Sequence, residues 1–178
     1  LKSMTNMYKQ VFAFQVKKGK MKPAVAEKTL KDSLSRINMT TDLSAVKDCE
    51  IVIESVIENM DIKKDLYDKL DKILDKESIL GTNTSSYSIT ELGQMSHRPD
   101  RFAGVHFFNP VMVLPLVEII KTPQTTDRTF NAFARLAKMM MKKGVKTQDT
   151  PGFIVNRLLV PYLSQACLMA DRGDATFR

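Results

Sequence analysis

Residues 50 to 82 constrain this chain more than any other stretch. Glu50 to Val56 (EIVIESV) is rich in β-branched residues and too short for a helix, which suits a buried strand. Asp61 to Leu74 (DIKKDLYDKLDKIL) then places Ile62, Leu66, Leu70, Ile73 and Leu74 on one helical face. Ser78 to Thr82 gives a second short strand. Strand, amphipathic helix and strand in so short a span predict an α/β domain built on a largely parallel sheet.

The same alternation continues toward the C-terminus. Ser88 to Gly93 reads as a short helix capped by its own serine. Arg101 to Phe108 and Leu116 to Lys121 read as strands separated by a loop holding Pro110 and Pro115. Thr126 to Lys143 reads as a long helix stopped by Gly144, followed by a short extended piece over Val145 to Thr147. Asp149-Thr150-Pro151-Gly152 has the pattern of a helix start, with an N-cap residue and proline in the first turn. The helix beyond it, Phe153 to Ala170, is apolar and nearly uncharged, and is expected to be buried on more than one side. This change of character marks a domain boundary near residue 149. On the N-terminal side, Val25 to Ile37 is expected to be helical.

Composition narrows the class. Of the 178 residues, 43% are hydrophobic and 26% charged, which is globular rather than disordered composition. No apolar run reaches the roughly 18 to 20 residues of a membrane span. Two cysteines, Cys49 and Cys167, cannot form a disulfide scaffold or a thiolate zinc site, so a reducing intracellular compartment is expected. No metal-ligand spacing, G-x-G-x-x-G turn or P-loop is present. The net charge of +7 is uneven: residues 1 to 22 hold six lysines and no acid. Such a patch either attracts an anionic partner or is a solvated helix face. No recognition motif accompanies it, so a nucleic-acid partner is not expected.

The candidate chemistry centres on one histidine. His97 lies in a polar turn and is expected to be merely exposed. His106 ends an apolar strand, and Glu118 is the only acid between Asp100 and Asp127, set within the next apolar strand. A carboxylate in such a strand is costly without a partner, and His106 is the obvious one. A paired Glu fixes the imidazole tautomer and favours a base that works near neutral pH. The loop Gly81 to Ser86 offers clustered hydroxyls and an amide beyond a strand end. It reads equally as a ligand loop or a helix-capping loop. Asn156, the lone amide in its helix, is either a paired buried group or a substrate contact.

Asn83-Thr84-Ser85-Ser86, Arg101 to Pro110 (RFAGVHFFNP), Leu116 to Ile120 (LVEII) and Asp149 to Leu159 (DTPGFIVNRLL) together resemble the L-3-hydroxyacyl-CoA dehydrogenase family. The likeness runs in order from Val16 to Thr176 and is nearest in wording to the short-chain, mitochondrial matrix type; a bacterial source would place it in the cytoplasm. It implies an incomplete Rossmann-type, doubly wound sheet over residues 1–148, followed over 149–178 by the first helix of an all-α C-terminal domain that dimerises. It implies NAD as cofactor and an acyl-CoA substrate in fatty acid β-oxidation. Residue by residue, it makes His106 the base at the substrate 3-hydroxyl, polarised by Glu118. Ser85 and Asn156 would bond the reacting oxygen and the thioester end. Glu58, Lys63, Asn83, Ser85 and Asn109 would lie around the cofactor, and a lysine among Lys17, Lys18 and Lys20 would meet the CoA phosphates. The departures are a missing glycine-rich turn, the absence of most of the helical domain, and Val111-Met112-Val113-Leu114-Pro115 in the active-site loop. A catalytically incomplete or non-catalytic relative is the competing expectation.

Overall fold

The structure, a computed structural model, describes residues 2–176. The chain divides into two compact units, Leu1–Ala45 and Val46–Arg178.

The first unit is a helical hairpin of α1 (Lys2–Lys17) and α2 (Pro23–Leu34). The basic stretch is therefore a helix, because Tyr8, Val11, Phe12 and Val16 recur at helical spacing and are all partly buried. Its reversal is made by Gly19 at φ 67°, where the Gly19 and Lys20 amides donate to the Val16 and Gln15 carbonyls. Pro23 opens α2, where a missing N–H costs nothing, so the helix begins two residues before Val25; it ends at Leu34, short of Ile37. Phe12, Ala13, Val16, Pro23, Ala26 and Leu30 line a groove of about 500 Å³ between the helices, rimmed by Lys9, Lys17 and Glu27.

The second unit is the α/β body. Its elements are β1 (Ile51–Glu54), α3 (Met60–Ile73), β2 (Ile79–Thr82), α4 (Ile89–Met95), β3 (Phe102–Phe107), β4 (Leu116–Lys121), α5 (Asp127–Met139), β5 (Lys143–Gln148) and α6 (Val155–Asp171). The strands lie in chain order, β1-β2-β3-β4-β5. All neighbours are parallel except β3 and β4. That exception follows from the short connection over residues 108–115, which can turn a hairpin but cannot carry a crossover. Helices α3, α4 and α5 begin on side-chain caps, with Asn59, Ser88 and Thr126 accepting from the amides of Ile62, Glu91 and Thr129. Ile79, Ala103, Val105, Val117, Ile119, Phe133 and Ala137 form the core between the sheet and α5.

Three local expectations are corrected. Gly144 does not stop α5; the helix ends at Met139, and the left-handed residue after it is Met141 at φ 55°. Gly144 instead sits in β5 opposite Val117, where an added Cβ would come within 3.0 Å of Ile119 Cδ1. Asp149 does not cap α6. It caps α4, accepting from the Ile89 and Thr90 amides at 3.0 and 2.8 Å and from Ser88 Oγ at 2.9 Å. Finally, α6 begins at Val155, and none of its side chains is buried among the described residues; Tyr162 is 72% exposed. An apolar sequence says what a helix can be covered by, and no described element covers this one.

Candidate active site at the β3–β4 hairpin

The antiparallel register sets the site. His106 on β3 is paired directly opposite Glu118 on β4, so their side chains rise from the same face of the sheet. His106 Nδ1 lies 2.7 Å from Glu118 Oε2, with the two residues 4% and 1% exposed. A carboxylate only accepts, so Nδ1 carries the proton; in the neutral imidazole this leaves Nε2 as the acceptor. Ser85 Oγ stands 3.1 Å from that Nε2. Ser85, Glu118 and His106 thus form one continuous chain of hydrogen bonds from the buried sheet to an exposed loop.

Glu118 does more than face the histidine. Its other oxygen, Oε1, accepts from the backbone amides of Ile154 and Val155, each at 2.9 Å. Those are the first free N–H groups of α6, so the carboxylate also sits at the positive end of that helix. The chain reaches this position through a sharp corner: Gly152 has φ 77° and Phe153 has φ 49°. For a bulky residue like Phe153 that conformation is rare. Its ring centroid lies 5.5 Å from that of the imidazole, tilted by 57°, and that of Phe108 lies 4.7 Å away, edge-on.

Below the Ser85 loop lies a second charged cluster. Glu54, at the end of β1, accepts from Lys63 Nζ at 2.8 and 3.0 Å, Tyr67 OH at 2.8 Å, Thr82 Oγ1 at 2.7 Å and the Val56 amide at 2.7 Å. Burial pushes the Glu54 carboxyl upward, but Lys63, Thr82, Tyr67 and Val56 together outweigh it and hold the pKa below the ordinary value. Burial and the adjacent Glu54 charge push the Tyr67 phenol upward. Lys63 Nζ also lies 3.6 Å from Glu58. Glu58 in turn accepts from the Ser85 amide at 3.1 Å and from Thr84 Oγ1 at 3.0 Å, and so shapes the loop that carries the serine.

The structure therefore gathers His106, Glu118, Ser85, Glu58, Lys63 and Asn83 at the ends of β1 to β4. Asn83 spans two strands there, its Oδ1 accepting from the Phe107 amide at 2.8 Å. Asn156 is partly exposed on the first turn of α6 and its side chain makes no hydrogen bond among the described residues, which removes the paired-buried-group alternative. Asn109 is exposed and precedes Pro110 through a cis bond. Lys17, Lys18 and Lys20 belong to the helical hairpin, at its turn. The sequence reading passed over Glu54 and Phe153. The rule that exposed Glu118, an acid in an apolar strand, applies equally to Glu54, which ends β1. No such signal marked Phe153.

Comparison with known proteins decides the family. The family described as "3-hydroxyacyl-CoA dehydrogenase, NAD binding domain" matches residues 1–150. This chain belongs to the 3-hydroxyacyl-CoA dehydrogenase family. It is 43% identical over 175 residues to the human mitochondrial hydroxyacyl-coenzyme A dehydrogenase, covering 98% of this chain and 54% of that protein. It is 42% identical over 161 residues to a 3-hydroxybutyryl-CoA dehydrogenase of Clostridioides difficile, covering 90% and 56%. The crystal structure of (S)-3-hydroxybutyryl-CoA dehydrogenase from Ralstonia eutropha superposes with a TM-score of 0.83 at 38% identity, over 93% of this chain and 57% of that one. The 3-hydroxyacyl-CoA dehydrogenase sheet is thus of Rossmann type, and NAD is the cofactor of the matched domain. The chain spans about half the length of the curated relatives it matches.

Whether these residues suit NAD can be asked of each end of the cofactor. Glu58 and Ser85, in the loops beyond β1 and β2, and His106, near the end of β3, lie where ligands of such sheets bind, which suits the reacting end. None of the seven glycines is spaced as the pyrophosphate turn requires. The fit is therefore to the nicotinamide end.

Proposed function

We propose that this chain carries the reacting half of an NAD-dependent L-3-hydroxyacyl-CoA dehydrogenase, which oxidises the 3-hydroxyl of an acyl-CoA to a 3-oxo group. The observation that carries this is the bonded chain Ser85–His106–Glu118, in which the imidazole lone pair faces an exposed hydroxyl loop. His106 Nε2 takes the proton from the substrate hydroxyl. Glu118 keeps the proton on Nδ1 and favours the imidazolium as it forms. Ser85 Oγ, now bonded to Nε2, is within reach of the same substrate oxygen and orients it. Asn156, partly exposed with its amide free of protein partners, suits the thioester end. NAD supplies the hydride acceptor when bound, with Glu58, Lys63, Asn83 and Asn109 around it; Lys63 would act there from a buried position against Glu54.

Lys17, Lys18 and Lys20, clustered at the hairpin turn, suit the phosphates of CoA. The mitochondrial relatives favour a role in fatty acid β-oxidation in the matrix, and the bacterial ones a cytoplasmic setting. The exposed apolar α6 favours a helical C-terminal domain that dimerises in the full-length form.

A second reading is favoured by the absent glycine-rich turn: a chain that keeps the catalytic residues but is incomplete as a catalyst. Acetoacetyl-CoA-dependent oxidation of NADH, with His106→Ala beside it, separates the two. Turnover lost in the variant supports the dehydrogenase. Turnover unchanged in the variant refutes His106 as the base. No turnover by either supports the incomplete catalyst.

A further inference from the structure

The corner at Gly152–Phe153 meets the dyad twice. The two residues that follow it, Ile154 and Val155, aim their amides at Glu118 Oε1, and its own aromatic ring lies against the imidazole that Glu118 Oε2 orients. Phe153 is 3% exposed and adopts a backbone conformation that glycine takes more readily, so its side chain is kept there against a local preference. Residues held in such conformations cluster where a geometry is over-determined. Packing alone would be served at an unstrained position.

We propose that Phe153 is a positioning residue for His106. Its ring and that of Phe108 form two walls that hold the imidazole plane in line with Glu118 and with Ser85. The amides of Ile154 and Val155 meanwhile fix the carboxylate from behind. Without the ring, the imidazole has more room to turn about its Cβ–Cγ bond, and the Nδ1–H tautomer is less strictly held to its partner. This inference deepens the reading of His106 as the base and rests on it, whereas the test below does not require turnover.

Two histidines make the measurement direct, because His97, held by Asp68 at 2.7 Å on the surface, serves as an internal reference. The imidazole nitrogens of the 178-residue chain are observed by ¹⁵N NMR, which separates protonated from bare ring nitrogens. Exchange of the Nδ1 proton is timed in the same samples. Phe153→Gly removes the ring while relieving the corner, and Phe153→Leu keeps apolar volume while removing the flat face.

The expected result is a single Nδ1–H tautomer for His106 in the wild type. Phe153→Gly then gives a tautomer mixture and Nδ1 exchange at least about tenfold faster. Phe153→Leu moves the same way by less. In both, the backbone amides of Val105 and Ile119 keep their protection and His97 is unmoved, which a general loosening of the core would not allow. The positioning role is overturned if a folded variant shows wild-type tautomer and exchange, or if the loss of Nδ1 protection comes together with loss at Val105 and Ile119. Should Phe153→Gly not fold, Phe153→Leu decides by the same criteria.

Discussion

Replacing Glu54 by glutamine tests whether the buried cluster beneath the site is an ion pair in earnest. The side chains of Glu54 and Lys63 are 0% and 1% exposed, and the carboxylate meets four donors. Glutamine keeps the shape, but its single oxygen can take the Oε1 place and accept from the Val56 amide, or the Oε2 place and accept from the Tyr67 and Thr82 hydroxyls, not both. It leaves the Lys63 ammonium buried with Glu58 at 3.6 Å as its remaining counter-charge. Breaking a buried pair from one side costs about 3–5 kcal/mol, and Glu58 relieves part of it, so about 3 kcal/mol is expected. Urea denaturation followed by far-UV circular dichroism at pH 7 reads this as a lower midpoint with an unchanged slope. The double variant Glu54→Leu with Lys63→Met should recover most of the loss, because it removes both charges. A loss below about 1 kcal/mol in Glu54→Gln, at the level of an exposed pair, would refute the account. So would a double variant no more stable than the single one. The pH dependence carries a definite sign. The folded pKa of Glu54 lies below its unfolded value, so its contribution is complete above the unfolded range and is lost as pH falls through the folded value. The wild type should therefore lose its advantage over Glu54→Gln on acidification below about pH 4.

Four further outcomes are expected. Gly104→Ala places a Cβ 2.8 Å from Ile120 Cβ, within the sheet where neither backbone can retreat, and should cost about 1–3 kcal/mol in thermal unfolding; an unchanged Tm would count against that packing. Asp149→Ala strips the α4 cap and should cost about 1–2 kcal/mol at neutral pH. Burial raises the Asp149 carboxyl, but the bonds from Thr90, Ile89 and Ser88 outweigh it and lower the pKa, so the difference should shrink as pH falls below the ordinary carboxylate range; a gap that does not narrow on acidification contradicts this. Glu118→Gln turns an amide N–H₂ toward His106 while the carbonyl stays on the α6 amides, so ¹⁵N NMR should report a proton moved from Nδ1 to Nε2; an unmoved proton would show that Glu118 does not choose the tautomer. NAD titrated into this chain in a calorimeter should bind no tighter than about 1 mM, since none of its seven glycines is spaced for a pyrophosphate turn, and saturable micromolar binding would show that other groups suffice.

What the sequence disclosed, it disclosed through period and isolation. Every strand and helix from Ile51 to Gln148 was legible because β-branched runs and amphipathic helices alternate there. The His106–Glu118 contact was legible because a single acid stands in an apolar strand, where burial demands a partner. The roles around Asp149 were not. A turn of Asp, Pro and Gly looks like a helix start, yet Gly152 and Phe153 at positive φ swing the chain so that Asp149 is carried to α4 and Glu118 serves α6 in its place. Capping across elements leaves no trace in local spacing. The fate of Lys63 was equally hidden, since only the fold brings a helical lysine onto the acid that closes β1.

The β3–β4 hairpin has one more consequence. His106 and Glu118 are opposed by a ladder of backbone bonds that continues on through Gly104 and Ile120, away from the connecting loop. Residues 108–115 are therefore tethered at both ends to a frame that does not depend on them. Such a loop can be respelled, shortened or lengthened while the His106–Glu118 pair stays where it is. A slip of the ladder by a single residue, in contrast, would send one of the two side chains through to the far side of the sheet. Chemistry is inherited by the strands, and variety is left to what hangs from them.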